Sequence, residues 1–566
     1  MSRARLSWRL RTALLLALAC GLPGTVAATE QRLPELDPDT IRSRAASSTL
    51  AVVATDIDLD GNTALDGVAV AAVTERYRGR PLTDADLQAL REELSLLYLQ
   101  SGYLSSGVVV PDQRIIDGRL RLQAVEGRIS TIELTGPTGL REPYIIERVR
   151  RRVAEPFNVN ELRDVIRLLQ RDPNIDRVDA HVEPGVRPGD SVLRMSIQEP
   201  PPWTVYLRAD NHRSEAIGAE RLSAGLVRAN LSGHGDRLAL EFGLSDGSDA
   251  GSASYRIPLN SRDVALALHY VRDDVDVVER PFDDLDITTD TESYGATLHV
   301  PLVAGLNHTL ELSVGGELVR SRTELGGIPF SLSPGAVDGR SKLSVGMLGL
   351  DWLRRSEGEV LALRGTLRHG FDVLDATDAR PTPFDPSGTD ARFTSFLGQV
   401  QWVRRLRDGL DVATKATLQV ADDPLMGVEK LAVGGINTVR GYRENLLVRD
   451  NGAAASLELR WRPFADRESR ALNTLTLIPF VDHGRSWDER DVDTTSLVRD
   501  TSDTESITGA GLGLAWQPVE GFDVEVYWAD DVDTSFARAA DPRRASREEG
   551  LQDDGVHFSV SYMRRF

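Results

Sequence analysis

From Trp203 to Phe566 the sequence is written in segments of about ten residues that alternate apolar and polar side chains, the period-two signature of strands with one greasy and one wet face. Leu238, Leu240, Phe242 and Leu244 alternate with Arg237, Ala239, Glu241 and Gly243, and Val264, Leu266, Leu268 and Tyr270 with Ala265, Ala267 and His269. Tyr294, Ala296, Leu298 and Val300 make another apolar set, as do Leu310, Leu312 and Val314, and later Val524, Val526 and Trp528. A soluble sandwich also alternates, but its strands average about five or six residues and its edges need protection. Segments of about ten match a tilted bilayer crossing, and a closed barrel satisfies every backbone group in lipid. About sixteen strands are predicted, starting near Trp203, Arg221, Arg237, Ser252, Asp263, Ser293, Asn307, Ser341, Glu359, Phe393, Leu410, Ala453, Leu475, Glu505, Phe522 and Val556, an even number that closes with both ends on one side.

The links support this reading. Short ones such as Pro258 to Arg262 and Pro301 to Asn307 alternate with long ones such as Arg272 to Glu292, Arg320 to Lys342 and Ala529 to Gly555, so short turns are expected on the periplasmic side and long loops outside. Seven of the eight tryptophans lie beyond residue 200, where interfacial girdles would use them. No stretch after residue 30 offers the roughly 18 consecutive apolar residues of a membrane helix. Lysine and arginine number 66 against 86 aspartates and glutamates, and the net charge of -20 argues against nucleic acid as a partner.

The region before the barrel has a different texture. Residues 1–28 read as an export signal: Arg3, Arg5, Arg9 and Arg11 precede an apolar core and the small residues Val26-Ala27-Ala28. The single cysteine, Cys20, falls inside that segment and reads as filler of its core, so the mature chain is expected to have no disulfide. Residues 29–49 are a polar tether or a short helix. Residues 50–129 and 130–200 repeat one order of strand, helix, helix, strand, strand. In the first, Thr83 and Asp86 can form a capping box for a helix over Thr83 to Gln100 that Gly102 ends; in the second, Leu162, Val165, Ile166 and Leu169 share a helix face. Arg148, Arg150, Arg151 and Arg152 are expected on a solvated helix face. Asp56 to Gly61 imitates the start of a calcium loop, but Gly67 stands where the bidentate glutamate belongs, and Ile57 and Leu59 alternate as in a strand. Gly243 to Gly247 imitates a nucleophile elbow without a helix behind it. No phosphate loop, zinc-ligand set or supported Ser-His-Asp pattern occurs, so no catalytic residue, metal or cofactor is expected, and the chain does not read as an enzyme.

Two short motifs remain. Val439-Arg440-Gly441-Tyr442 lies in a long segment of about residues 421–452, and Phe480, Asp482 and Gly484 follow on one later strand. A guanidinium offers a planar fork to a carboxylate, Gly441 permits a turn at the loop tip, Tyr442 can pack on the inner wall, and Gly484 leaves room on the strand. Phe480 and Asp482, two residues apart, share a face that should be the lumen.

Export signal, the two repeated units, the barrel and both motifs together resemble the TpsB transporters of two-partner secretion, the haemolysin and filamentous-haemagglutinin exporter family. The repeated units resemble POTRA domains, and the ending through Tyr562 to Phe566 resembles the assembly signal of bacterial outer-membrane barrels. The resemblance implies a mainly β chain: an antiparallel transmembrane barrel after two small α+β POTRA domains, in the outer membrane of a Gram-negative bacterium. It also implies that the loop of residues 421–452 folds inward and that Arg440 at its tip pairs with Asp482. The implied activity is export of an unfolded partner protein that docks on the periplasmic POTRA domains and crosses without ATP. Implied neighbours are that exoprotein, outer-membrane lipid and lipopolysaccharide, and the barrel-assembly machinery, around a monomer. Family members usually carry a plug helix; about twenty residues before Leu50 leave little room for one, so the loop is expected to do more of the sealing. The alternatives are an assembly factor of the BamA or TamA type and a passive porin.

Overall fold

The structure, a computed structural model, describes residues 52–136, 139–331, 334–378, 388–489, 504–532 and 550–566. The expected export signal, Cys20 and the tether lie outside the described residues. The chain divides into a smaller compact unit, which holds the first α+β module, and a larger one, which holds the barrel together with residues 132–153 and 161–181.

In the smaller unit, Asp56–Asp60 runs parallel to Arg119–Val125, which pairs antiparallel with Gly107–Val109. Ile57 points into the core with Leu120 and Leu122, so the calcium-loop mimic is a strand with its aspartates turned away. Helices α1 (Gly67–Thr74) and α2 (Asp84–Gln100) bury Val73, Leu90, Leu94 and Tyr98 against it. Helix α2 starts where Thr83 Oγ1 accepts from the Asp86 N–H and Asp86 Oδ2 accepts from the Thr83 N–H, and it stops at Gly102, whose φ of 91° suits a residue without Cβ. Glu126 accepts from the N–H groups of Thr63 and Ala64 (2.7 and 2.9 Å) and from the Tyr98 hydroxyl (3.1 Å). Burial opposes its ionisation, but these donors outweigh it and hold the carboxyl below its ordinary range.

The second module has the strands Arg128–Thr135, Arg177–Pro184 and Asp190–Gln198, with the last in the middle of the sheet, and helices α3 (Glu142–Arg150) and α4 (Val159–Leu169). Leu162, Val165 and Leu169 face inward from α4. The arginine run departs from the expectation of a solvated face. Arg148 is 4% exposed, stacks 3.6 Å from the Tyr144 ring centre and donates to Asp263 through Nε and Nη2 at 2.9 and 2.6 Å. Tyr144 lies one helical turn back, and Asp263 stands in the short turn that the barrel presents to this helix; a charge count along the chain sees neither.

Sixteen antiparallel strands close the barrel: β1 (Trp203–Asp210), β2 (Arg221–Ala229), β3 (Arg237–Leu244), β4 (Ser248–Pro258), β5 (Ala265–Asp276), β6 (Ile287–Ala304), β7 (His308–Leu325), β8 (Arg340–Ser356), β9 (Glu359–Phe371), β10 (Thr394–Arg407), β11 (Leu410–Ala421), β12 (Asn451–Trp461), β13 (Thr476–Trp487), β14 (Glu505–Val519), β15 (Phe522–Asp531) and β16 (Val556–Arg565), with a two-residue strand Ile328–Pro329 beside β7. Each pairs with the next, and β16 returns to β1, Ser559 opposite Asp210 through Arg565 opposite Thr204. Trp203 and Phe566 exchange two backbone hydrogen bonds of 3.1 and 3.0 Å at the seam. Leu240, Phe242, Leu268, Leu298, Leu348, Leu363, Leu457, Val481 and Trp528 are exposed on the outer wall, the reverse of a sandwich, whose apolar faces meet inside.

Strand length differs from the expected ten. Strands β6 and β7 each run 18 residues and β8 runs 17. Much of the segments from Arg272 to Glu292 and from Arg320 to Lys342, expected as loops, continues these hairpins. Polar cross-strand pairs hold them where no apolar stripe is needed: Arg272 reaches Asp290 at 3.0 Å, and Thr289 and Thr291 bond the Thr323 and Ser321 hydroxyls at 3.1 Å each.

Candidate functional site, a loop clamped to the barrel wall

Between β11 and β12 the chain makes its long loop on the rim opposite the two barrel ends. The loop carries its own hairpin, Leu431–Val433 against Leu447–Arg449, and from that base residues 434–446 reach the barrel wall. Register fixes the face they meet. Ser456 stands opposite Asp482, and Glu458 opposite Phe480; because Leu457 and Val481 between them are exposed outside, these four side chains point into the lumen.

Arg440 is 1% exposed there. Its Nε donates to Asp482 Oδ2 at 2.7 Å and its Nη2 to Asp482 Oδ1 at 2.8 Å, a two-pronged pair, while its own backbone N–H donates to Oδ2 at 3.1 Å. Nη2 also reaches Ser456 Oγ at 2.9 Å, and Nη1 lies 2.9 Å from Glu458 Oε1. Glu458 in turn accepts from Arg460 at 3.0 and 2.8 Å, so two guanidiniums offset two carboxylates. The plane of Arg440 lies 3.5 Å from the Phe480 ring centre and 4.9 Å from that of Tyr527, and the two rings meet edge to face. A buried charge so completely partnered costs little to keep and much to orphan.

The neighbours of Arg440 seat the backbone. Gly441 has a φ of 94°, in the left-handed region. Val439 and Tyr442 are buried with Val433, Leu447 and Ile507, and the Tyr442 hydroxyl donates to the Thr508 carbonyl at 3.0 Å. Glycines on the wall admit the loop: a Cβ on Gly484 would lie 2.5 Å from Val433 and 2.7 Å from Val439, and one on Gly509 would lie 1.9 Å from the Arg440 carbonyl oxygen. The motif residues Val439, Arg440, Gly441, Tyr442, Phe480, Asp482 and Gly484 thus meet in one place. Tyr562 and Phe566 stand apart from them, on β16 and the seam, Tyr562 in register with Phe522 and Leu207.

Ser456, Glu458, Tyr527 and Gly509 complete the site without having been singled out in the sequence. Glu458 and Tyr527 occupy the inward positions of regular alternations, which give their face but not their height on the wall, and Gly509 is placed only by the register of β14. Three further ion-pair groups hold the loop. Arg443 meets Glu279 at 2.6 Å and also pairs with Asp553. Glu429 receives Arg368 at 2.8 and 2.7 Å. Lys430 lies 3.0 Å from Asp450 and 3.2 Å from Asp488, which Arg449 also binds at 2.6 Å.

A barrel with a charged loop locked to its inner wall, behind an α+β module, matches known proteins along its length. The family model for the haemolysin secretion/activation protein ShlB/FhaC/HecB matches residues 189–516. The chain belongs to this family. The model for the ShlB-type POTRA domain matches residues 52–127. Among curated relatives, the outer membrane transporter CdiB of Dickeya dadantii is 24% identical over 455 residues, which cover 78% of this chain and 76% of that one. The heme/hemopexin transporter protein HuxB of Haemophilus influenzae is 21% identical over 483 residues, 83% and 81% of the two chains. The solved structure of CdiB from Escherichia coli superposes with a TM-score of 0.63 at 18% identity, covering 100% of this chain and 99% of that one, a likeness of fold. The protein is therefore an outer-membrane transporter of the two-partner secretion type, with its POTRA region in the periplasm and the clamped loop entering from the cell surface.

Proposed function

We propose that this transporter exports an unfolded partner exoprotein through the barrel lumen, with the loop of residues 422–450 held across the path by Arg440 until the partner arrives. The observation that carries the reading is the solvent-excluded clamp of Arg440 on Asp482 and Glu458, which fixes the loop tip on the inner wall. The partner docks in the periplasm by adding a strand to a POTRA sheet. Among the described residues, Arg177–Pro184 of the second module pairs on one side only, with Asp190–Gln198, and offers its other edge. Main-chain pairing there suits an extended client and asks little of its sequence. No nucleotide drives the step; folding outside the cell biases the movement outward. The loop anchors and gates, and the protein acts as a monomer among outer-membrane lipids after insertion by the assembly machinery.

The test is export of a partner exoprotein, to be sought in the adjacent gene, followed in the medium of cells carrying wild type or Arg440→Ala. Wild type should release it, and the variant should leave it in the periplasm with the barrel still inserted. Release at the wild-type rate by Arg440→Ala would remove the clamp from the mechanism.

A further inference from the structure

At the periplasmic end of the lumen, a cavity of about 640 Å³ lies between helices α3 and α4 and the inner faces of β1 to β5 and β16. Its walls carry Arg148, Arg152, Arg171, Arg237, Arg256 and Arg565, and against these only two carboxylates, Asp172 and Asp263. Both carboxylates are engaged, Asp263 by Arg148 and Asp172 by the Tyr144 hydroxyl and by Asn174. In a chain whose net charge is -20, a pocket of this sign is not an average piece of surface.

Two features show positive charge that the described residues answer only weakly. Arg237 and Arg256 stand directly opposite each other in the β3–β4 register and share the lumenal face, an arrangement that like charges make unfavourable. The Glu311 carboxylate lies 3.9 Å from Arg256, at the far edge of an ion pair. Arg152, at the end of α3, is half-buried; its burial and then the neighbouring Arg151 lower its proton affinity, and Arg148 adds to this against the pull of Asp263. Packing accounts for Arg148 and for Arg171, which donates to the Leu306 carbonyl, but not for Arg152, Arg237 and Arg565.

We infer that this cavity is a subsite for an acidic segment of polypeptide at the entrance to the lumen. The inner-wall register of Thr204, Tyr206, Arg237 and Arg256 turns the guanidiniums toward the path of a translocating chain and away from the lipid, which favours peptide carboxylates over phospholipid headgroups. Several guanidiniums around one cavity accept carboxylates at varied spacing, as a passing, unfolded segment requires. A run of aspartates or glutamates in the client would pause here, between its docking and its passage. This inference rests on the export reading.

The experiment uses the full-length protein in detergent micelles and a fluorescein-labelled decapeptide of glutamate, with decalysine and a Gly-Ser decapeptide beside it, read by anisotropy. Decaglutamate should bind, and binding should weaken steeply as salt rises; the other two should not bind. Arg152→Glu with Arg237→Glu should weaken decaglutamate about tenfold, and the corresponding lysine pair about twofold. A gel-mobility shift on heating confirms that each barrel is folded; should the reversed pair not fold, the peptide series and salt dependence on wild type decide. Absence of decaglutamate binding, equal binding of decalysine, undiminished binding by the folded reversed pair, or displacement of the peptide by phosphatidylglycerol would each overturn the subsite. Export of the partner exoprotein is read separately: a protein that binds decaglutamate and exports nothing refutes the export reading and leaves the subsite standing.

Discussion

A guanidinium buried to 1% exposure in a barrel lumen survives only because each side of it is answered, and single substitutions at that point are predicted to have large effects. Arg440→Ala orphans Asp482, and losing one partner of such a pair costs about 3–5 kcal/mol, enough to free the loop tip. Single-channel recordings should then show larger and longer openings than wild type. Arg440→Lys keeps the charge but loses the fork, so it should restore little of the closed state. Gly509→Ala tests the seat without touching charge: a methyl 1.9 Å from the Arg440 carbonyl must push the loop off the wall, and recordings should resemble those of Arg440→Ala. Wild-type recordings from Gly509→Ala would show that the loop does not need that seat. Arg440 and Asp482 were legible in the sequence because both sit in short motifs and because two-residue spacing fixed the face of Asp482. Glu458 was hidden, although Leu457 and Leu459 flank it, since alternation gives a side chain's face and not its height on the wall. Gly509 gave no signal, because what meets a glycine depends on register between distant strands.

At the scale of elements, the loop is held at its tip by Arg440 and again by Arg443, which ties it to Glu279 and Asp553 in other surface loops. Arg443→Ala should loosen the loop less than Arg440→Ala, because its partners stand nearer water. The double variant should exceed the sum of the two if both anchors restrain one rigid loop; additive effects, measured as chymotrypsin cleavage rates within residues 422–450, would mean that the anchors act independently. In the first module, the lowered pKa of Glu126 ties stability to pH. Its contribution is present above the unfolded carboxylate value and lost as pH falls through the lower folded value, so the module should weaken below about pH 4. Glu126→Gln should flatten that dependence in thermal melts followed by the far-ultraviolet signal. The order of elements in both modules was readable from apolar spacing and caps such as Thr83. Strand length was not: charged pairs such as Arg272 with Asp290 extend hairpins past the membrane in a sequence that reads as loop.

For the whole molecule, the prediction concerns the lumen. Removing residues 422–450 and joining the strand ends should leave an inserted barrel with large, steady conductance and no export, because the path is open but no longer regulated. Retained closure in bilayer recordings would move the seal elsewhere in the chain. The number of strands and the position of the long loop were legible because period-two alternation and turn residues repeat along the sequence. The burial of Arg148 against Asp263 was not, since it joins residues 115 apart that no local pattern links.

The seam between Trp203 and Phe566 also sets an order of events. The first strand of the barrel pairs with the sixteenth, so the wall has no complete circumference until β16 is in place. Every earlier length leaves β1 with an unpaired flank, an open template for whatever extended chain lies near. Closure is therefore the last pairing to form along the chain, and until β16 arrives the unfinished wall must be held by something other than itself.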